Sequence, residues 1–125
     1  MSIMDLTPPS LEGVHVAICG EDVLKLSGTL AIKEPGHALG PFLRRVHDEV
    51  RGSLACLRVD VSCLTFVNSS AIRLLVDWAT WLRKEPVEYQ YELRFLTDRT
   101  ITWQRTSLAA LRALAGALVS VEAIN

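Results

Sequence analysis

Hydrophobic and polar positions alternate from residue 14 onward, which is the pattern of a β-strand with one buried face. One side of this segment carries the apolar side chains Val14, Val16 and Ile18. After Gly20-Glu21-Asp22, a sequence typical of turns, residues 23–30 continue the extended pattern. Two strands joined by so short a link predict a hairpin.

An apolar stripe with helical spacing follows a loop at residues 33–36, where Pro35 and Gly36 break the extended pattern. The stripe consists of Leu39, Leu43, Val46 and Val50. This spacing predicts a helix with one buried face. Gly52 stands where the end of a helix favours a residue that adopts a positive φ.

A third strand is predicted at residues 54–61, and residues 62–67 are predicted to connect it to a long second helix. The start of this helix is predicted at Asn68-Ser69-Ser70, because Asn and Ser side chains accept hydrogen bonds from the free N–H groups at a helix start. The polar stripe of the helix is narrow and consists of Arg73, Asp77, Thr80 and Lys84. A helix that is otherwise so apolar is either deeply buried or offers a second face to a partner.

The remaining chain predicts a strand, a helix and a short strand. The fourth strand is indicated by alternation at Tyr89, Tyr91, Leu93 and Phe95. Residues 100–115 predict a third helix that Gly116 ends, and residues 118–123 predict a short last strand. This order of elements implies an α/β fold whose central strands run parallel. Residues 1–11 are predicted to form an N-terminal arm, and residues 12–125 a single domain.

The length and net charge of the chain exclude several classes of function. A chain of 125 residues is one ordinary domain. Thirteen Lys and Arg against fourteen Asp and Glu give a net charge of −1, so no basic field favours nucleic acid or a membrane surface. No apolar run reaches the roughly 20 residues of a membrane span. The N-terminal sequence lacks the pattern of a secretion signal, and we expect a cytoplasmic protein.

The three cysteines and three histidines lack the spacing of a metal site. Cys19, Cys56 and Cys63 form no Cys-x-x-Cys pair and are expected to be reduced thiols in the core. His15, His37 and His47 are scattered along the chain. We therefore expect no metal and no cofactor.

Sequence motifs of catalysis are absent. The chain contains no phosphate-binding Gly-rich loop, and Ser69 and Ser70 lack the Gly-x-Ser-x-Gly context of a nucleophile. Neither His37 nor His47 has a spacing that indicates a catalytic base. A small hydrolase using Ser69 or Ser70 is therefore disfavoured, and the protein is expected not to be an enzyme.

Residues 57–76 carry the most distinctive pattern, and here the sequence resembles the STAS domain family of bacterial anti-sigma-factor antagonists. Asp60-Val61-Ser62 corresponds to the end of the family's central strand, and Phe66 to an aromatic position. Asn68-Ser69-Ser70-Ala71 corresponds to the family's Asp-Ser-Ser-Gly, with Asn in place of Asp and Ala in place of Gly. The resemblance covers about residues 12–124 and includes Ser27-Gly28-Thr29-Leu30. It implies a STAS-like mixed sheet of four to five strands with about three helices mainly on one face.

The resemblance also implies a function. The second Ser of the motif is the phosphoacceptor, which is Ser70 here, with Ser69 as the second choice. The unmodified protein would bind an anti-sigma-like serine kinase, phosphorylation would release it, and a phosphatase would reset the switch. The residues expected to contact the partner are Asn68, Ser69, Ala71, Arg73, Thr65 and Ser62, within a surface formed by residues 33–40, residues 62–70 and the second helix.

Several alternatives remain at the level of sequence. Ser69 and Ser70 also suit plain helix capping. Arg73, three residues after Ser70, either pairs with a phosphate or is a solvated residue of the polar stripe. The same fold also suits a phosphorylation-independent interaction module or a homodimer subunit. Trp78 and Trp81 would then anchor the interface, unless they fill the core.

Overall fold

The computed structural model describes residues 2–34 and 37–125, so the predicted break at Pro35 and Gly36 lies outside the described residues. Within these ranges, five strands alternate with three α-helices in the order β1 (Val14–Ile18), β2 (Val23–Leu30), α1 (Leu39–Val50), β3 (Cys56–Val67), α2 (Ser69–Lys84), β4 (Glu92–Thr97), α3 (Thr102–Ala115) and β5 (Val119–Ala123). Short 3₁₀ turns lie at Ile3–Asp5, Val87–Tyr89 and Gly116–Leu118.

The sheet is mixed, and its strands lie side by side in the order β1-β2-β3-β4-β5. β1 and β2 pair antiparallel, which confirms the predicted hairpin. β2, β3, β4 and β5 run parallel to their neighbours. The α/β class and the parallel central strands are therefore as the sequence predicted.

All three helices lie on one face of this sheet. Each crossover steps to the next strand in the same direction, and such crossovers are right-handed. The side chains that face the helices are buried, as Leu26, Val59 and Phe95 illustrate. The opposite face carries half-exposed polar side chains, among them Lys25, Arg58, Asp60, Glu92 and Arg94.

The helices bury the faces that the spacing predicted. On α1, the stripe Leu39, Leu43, Val46 and Val50 is wholly buried. Gly52, just beyond its end, has a φ of 76°. In the part of the chain that the structure describes, no helix has the length and apolar content that crossing a membrane requires.

β3 is longer than predicted, because residues 62–67 continue the strand instead of forming a connection. From Lys25 to Ser27, β2 advances by two residues, while the paired part of β3 advances by three, from Asp60 to Cys63. Opposite the single step from Gly28 to Thr29, β3 advances two residues. Each shift places an extra residue in β3, which interrupts the alternation of apolar and polar positions by which a strand is recognised.

One other boundary differs from prediction. Tyr89 lies in the exposed 3₁₀ turn before β4 and not in the strand, since Pro86 and the turn precede the sheet. The arm at residues 1–11 is anchored, because the side chain of Ile3 is only 1% exposed and belongs to the core.

The prediction that the cysteines are core thiols was wrong, although all three are free. Cys19 and Cys63 are exposed, and Cys56 is half-buried. Cys19 lies just past the end of β1, and Cys63 lies where the register of β3 shifts. Cys56 alternates with the buried Leu57, which places it on the face of the sheet without helices.

Candidate functional site

The start of α2 is fixed by Asn68, which caps the helix. Its Oδ1 accepts a hydrogen bond from the N–H of Ala71 at 3.0 Å, and its backbone is extended with φ −90° and ψ 176°. The first bond of the helix backbone runs from the N–H of Ile72 to the carbonyl oxygen of Asn68, 3.1 Å away. Capping is therefore performed by Asn68, and the alternative that Ser69 and Ser70 serve as the caps is wrong.

The Asn68 side chain also binds the segment that follows β2. Its Oδ1 accepts from the N–H of Ile32 at 3.2 Å, and its Nδ2 donates to the carbonyl oxygen of Ile32 at 2.9 Å. Asn68 is half-buried and uses both ends of its amide within the protein. It thus holds the β2–α1 connection against the first turn of α2.

The hydroxyl-bearing residues Ser69 and Ser70 occupy the first two positions of α2, and both are exposed. Their N–H groups precede the first hydrogen bond of the helix, where a helix presents free donors and positive dipole charge. The predicted phosphoacceptor is therefore accessible to another macromolecule and lies in a setting that favours an added anion.

A groove of about 600 Å³ opens beside Ser70, between α2 and the β2–α1 connection. It is lined by Ile32, Lys33, Glu34, His37, Gly40, Pro41, Ser70, Arg73, Leu74 and Asp77. Ser69 does not line it. The groove, hereafter the Ser70 groove, therefore brings Ser70 and Arg73 together with Lys33 and His37. Lys33 and His37 belong to the segment 33–40 that was expected at the partner surface.

Cations and carboxylates both line this groove. Lys33 and Glu34 come from the connection, and Arg73 and Asp77 come from α2. Among the ion pairs of the described residues, neither Lys33 nor Arg73 contacts a carboxylate, whereas Arg51 binds Glu85 at 2.7 Å. Both groove cations are thus free to bind an anion.

Thr65 and Phe66 extend the accessible surface along the end of β3. Thr65 is exposed, and its Oγ1 donates to the carbonyl oxygen of Gly28 at 3.1 Å. Phe66 is 51% exposed, which is unusual for an aromatic side chain in a strand. From the sequence, Phe66 was identified only as a position of the motif. Its exposure could not be predicted, because the register shift in β3 interrupts the regular alternation of buried and exposed positions.

Three residues predicted at partner surfaces are buried. The Ser62 side chain lies in β3, where its hydroxyl donates to Asp60 Oδ1 at 2.6 Å. Ala71 comes directly after the two exposed serines but lies on the inward face of α2, where it is fully buried. Trp78 is fully buried as well. None of these three side chains is exposed to a partner at the surface. Trp81 is half-buried, with the guanidinium carbon of Arg44 5.1 Å from its ring centroid.

A second polar cluster lies towards the other end of α2. The indole N–H of Trp78 donates to the Tyr91 hydroxyl at 2.9 Å, and that oxygen lies 2.7 Å from His47 Nδ1. His47 Nε2 lies 2.8 Å from Glu85 Oε2, which also accepts from Arg51 Nε at 2.7 Å.

Hydrogen-bond roles in this cluster follow from the carboxylate. An ionised Glu85 can only accept hydrogen bonds, so His47 donates to it from Nε2. The Nδ1 atom of His47 then accepts a hydrogen bond from the Tyr91 hydroxyl. Burial lowers the pKa of His47, and the hydrogen bond from Arg51 lowers the pKa of Glu85. Both ring nitrogens of His47 are therefore engaged within the protein.

The histidines of the described ranges form neither a metal-binding group nor a hydrogen bond with Ser69 or Ser70. Within them, no group of three or more His, Cys, Asp or Glu side chains has the arrangement to hold a metal ion. His37 Nδ1 accepts from the N–H of Leu39 at 3.3 Å. The same ranges show no hydrogen bond from the hydroxyl of Ser69 or Ser70 to a histidine.

Comparison with solved structures finds this fold in an anti-sigma factor antagonist from Mycobacterium paratuberculosis. The TM-score is 0.52, with 17% sequence identity over 86% of this chain and 83% of that chain. No family model and no curated protein matches the sequence. The structural likeness confirms the predicted STAS-like fold, a five-stranded mixed sheet with its three described helices on one face.

Proposed function

We propose that this protein is a non-catalytic, cytoplasmic signalling regulator of the anti-sigma-factor antagonist type. In its unmodified form it binds an anti-sigma-like serine kinase through the exposed surface around Ser69, Ser70 and Phe66. Phosphorylation of Ser70 releases the kinase, and a phosphatase restores binding. The observation that carries this proposal is the exposed Ser70 hydroxyl at the first turn of α2, in a fold shared with an anti-sigma factor antagonist.

The modification itself is chemically simple. The Ser70 oxygen forms a bond to the γ-phosphorus of ATP, the bond from that phosphorus to the bridging oxygen of ADP breaks, and the hydroxyl proton passes to a base of the kinase. The product carries about −1.5 to −2 charges at neutral pH. The helix N-terminus favours such an anion within the protein itself.

Release follows from the same charge at an interface. A partner that packs against an unmodified Ser70 excludes water there, so a phosphate at this position would have to give up its hydration for the partner to bind. Removing the phosphate from water costs several kcal/mol even where cations lie beside it, and each 1.4 kcal/mol changes the affinity about tenfold. One phosphate can therefore end binding without unfolding the protein.

Ser70 is favoured over Ser69 because only Ser70 lines the groove that carries Lys33 and Arg73. Ser69 is also exposed but does not line this groove. Among the residues first expected at the partner surface, Ser69, Arg73 and Thr65 remain in the proposal, together with Asn68 as the residue that positions the helix start. The buried Ser62 and Ala71 do not.

The experiment is a pull-down from native cells with wild-type protein, Ser70→Ala and Ser70→Asp as baits. Wild type and Ser70→Ala should retain the same protein with a serine-kinase domain, and Ser70→Asp should retain at least tenfold less. Ser53→Asp, at an exposed serine after α1, is the control for added charge and should behave as wild type. Equal retention by Ser70→Asp and wild type would favour the phosphorylation-independent interaction module instead.

Phe66 supplies an independent check on where the partner binds. Phe66→Ser should weaken retention, because a half-exposed aromatic ring four residues before the acceptor is suited to anchor an interface. Val87→Ser changes a side chain that is 82% exposed in the turn before β4, and it should leave retention unchanged. If both substitutions act equally, the partner does not bind at the end of β3.

A further inference from the structure

The Ser70 groove has two walls that come from different parts of the chain. One wall is α2, which contributes Ser70, Arg73 and Asp77, and the other is the β2–α1 connection with Lys33 and Glu34. The two walls are held together by Asn68, whose amide binds both the N–H and the carbonyl oxygen of Ile32. Lys33, the next residue along the chain, is thereby kept beside the start of α2.

We infer that a phosphoryl group on Ser70 is bound within the protein itself, between Arg73 on the same helix and Lys33 on the facing connection. This inference rests on the proposed function for the presence of the phosphate, and it adds where that phosphate goes. The phosphate bridges the two walls of the groove. Phosphorylation thus changes the surface offered to the kinase by filling the groove between its two walls, in addition to adding charge.

The position of Arg73 supports the first half of this clamp. Residues three apart on a helix are neighbours on its surface, with about 5–6 Å between their Cβ atoms. A guanidinium group binds phosphate oxygens with two parallel N–H donors. Arg73 makes no ion pair with a carboxylate among the described residues, so no existing contact has to break.

Lys33 supports the second half from across the groove. It is exposed and is likewise unpaired with any described carboxylate. A lysine ammonium acts on phosphate as a point charge and reaches it on a flexible stem. The charged and titratable groups that line the groove are Lys33, Glu34 and His37 on the connection and Arg73 and Asp77 on α2, while α1 contributes only Gly40 and Pro41.

The test uses full-length protein made with phosphoserine incorporated at position 70, so that no kinase is needed. Phosphorus NMR during a pH titration gives the second pKa of the phosphoserine, which is about 6 in the absence of nearby charge. Because the helix N-terminus favours the dianion by itself, the deciding comparison is between variants and not with free phosphoserine. Lys33→Gln and Arg73→Gln should each raise this pKa by about half a pH unit.

Matched controls come from the far end of the same helix. Arg83 and Lys84 are exposed in the last turn of α2, which a helix of this length places about 20 Å from Ser70. Arg83→Gln and Lys84→Gln should leave the phosphoserine pKa unchanged. If these controls raise it as much as the groove variants do, the effect is one of net charge and the clamp is refuted.

Two further outcomes would overturn the inference. If Arg73→Gln raises the phosphoserine pKa and Lys33→Gln does not, the facing connection does not bind the phosphate. No effect of either would show that the phosphate points into solvent. These results are separate from the proposed function, because the titration gives the same answer whether or not native cells phosphorylate Ser70, and the pull-down does not depend on the clamp.

Discussion

Asn68 and Ile32 are 36 residues apart in the chain and share two hydrogen bonds, one in each direction. The N–H of Ile32 donates to Asn68 Oδ1, and Asn68 Nδ2 donates to the carbonyl oxygen of Ile32. A carboxylate can accept the first bond but has no proton to donate in the second. This explains in physical terms why Asn, and not the Asp of the family motif that the sequence resembles, suits position 68.

Asn68→Asp should therefore destabilise the protein by about 1 kcal/mol, because it removes the donor to Ile32 while keeping the cap on Ala71. Asn68→Ala should cost about 2 kcal/mol, since it removes the cap as well. Urea unfolding at neutral pH measures both. The control Ser69→Ala changes an exposed side chain next to the cap and should stay within about 0.5 kcal/mol of wild type. An Asp variant as stable as wild type would show that the bond to Ile32 contributes nothing.

Gly28 in β2 cannot accept a side chain. Its φ is 98°, and an added Cβ would lie 2.4 Å from the carbonyl oxygen of Gly13. Gly28→Ala should therefore lower the free energy of unfolding by about 3–4 kcal/mol. Gly20→Ala is the matched control, because Gly20 also has a positive φ of 133° but has nothing within 4 Å of the added atom. The control should cost about 1 kcal/mol, and equal losses would refute a steric role for Gly13.

The Tyr91 hydroxyl links two buried side chains, accepting from Trp78 and donating to His47. Tyr91→Phe leaves a buried indole N–H and a buried imidazole nitrogen without partners, and we expect a loss of about 2 kcal/mol in thermal or urea unfolding. Tyr89→Phe removes the hydroxyl of a side chain that is 40% exposed and should change stability by less than about 0.5 kcal/mol. A similar cost for both would mean that the buried hydrogen bonds are not the cause.

Stability should depend on pH through His47. Burial lowers its pKa in the folded protein below the ordinary 6.5, so below about pH 6.5 the unfolded chain binds more protons than the folded one. The free energy of unfolding should therefore fall as the pH drops from about 6.5 towards the lowered pKa of His47. Protonation would also place two donors on the Tyr91 oxygen, from Trp78 and from His47 Nδ1.

The matched variants for this pH dependence are His47→Gln and His15→Gln. Urea unfolding between pH 7.5 and 5.5 should show a flatter profile for His47→Gln, although this variant is less stable at every pH. His15 is exposed in β1, and its replacement should leave the slope of wild type intact. If the free energy of unfolding of His47→Gln falls with pH as steeply as that of wild type, the pH dependence comes from another group.

Much of the fold could be predicted from the sequence, because most elements have regular periodicity. The stripe from Leu39 to Val50 and the alternation of residues 14–18 each correspond to an element of the structure. The end of β3 could not be predicted in this way, because its shifted register places Thr65 and Phe66, two successive residues, at the surface. The same irregularity exposes Cys63.

The candidate site was predictable only where it is local in sequence. Ser70 and Arg73 follow from the motif and from helical spacing. Lys33 was expected only as part of the segment 33–40 that the resemblance placed at the partner surface, since its place beside Ser70 depends on the tertiary contact between Asn68 and Ile32. Ala71 was misplaced for a related reason: the pattern located the helix start, but the structure was needed to show which of the three residues after Asn68 faces the core.

The central claim is that Ser70 is the modified residue of a switch, and the most direct test is the phosphorylation state of the protein isolated from native cells. Intact mass followed by peptide mapping, across growth and stress conditions, should reveal a form carrying one phosphate at Ser70 and none at Ser69. Complete absence of phosphate under all conditions, or phosphate confined to another residue, would contradict the account.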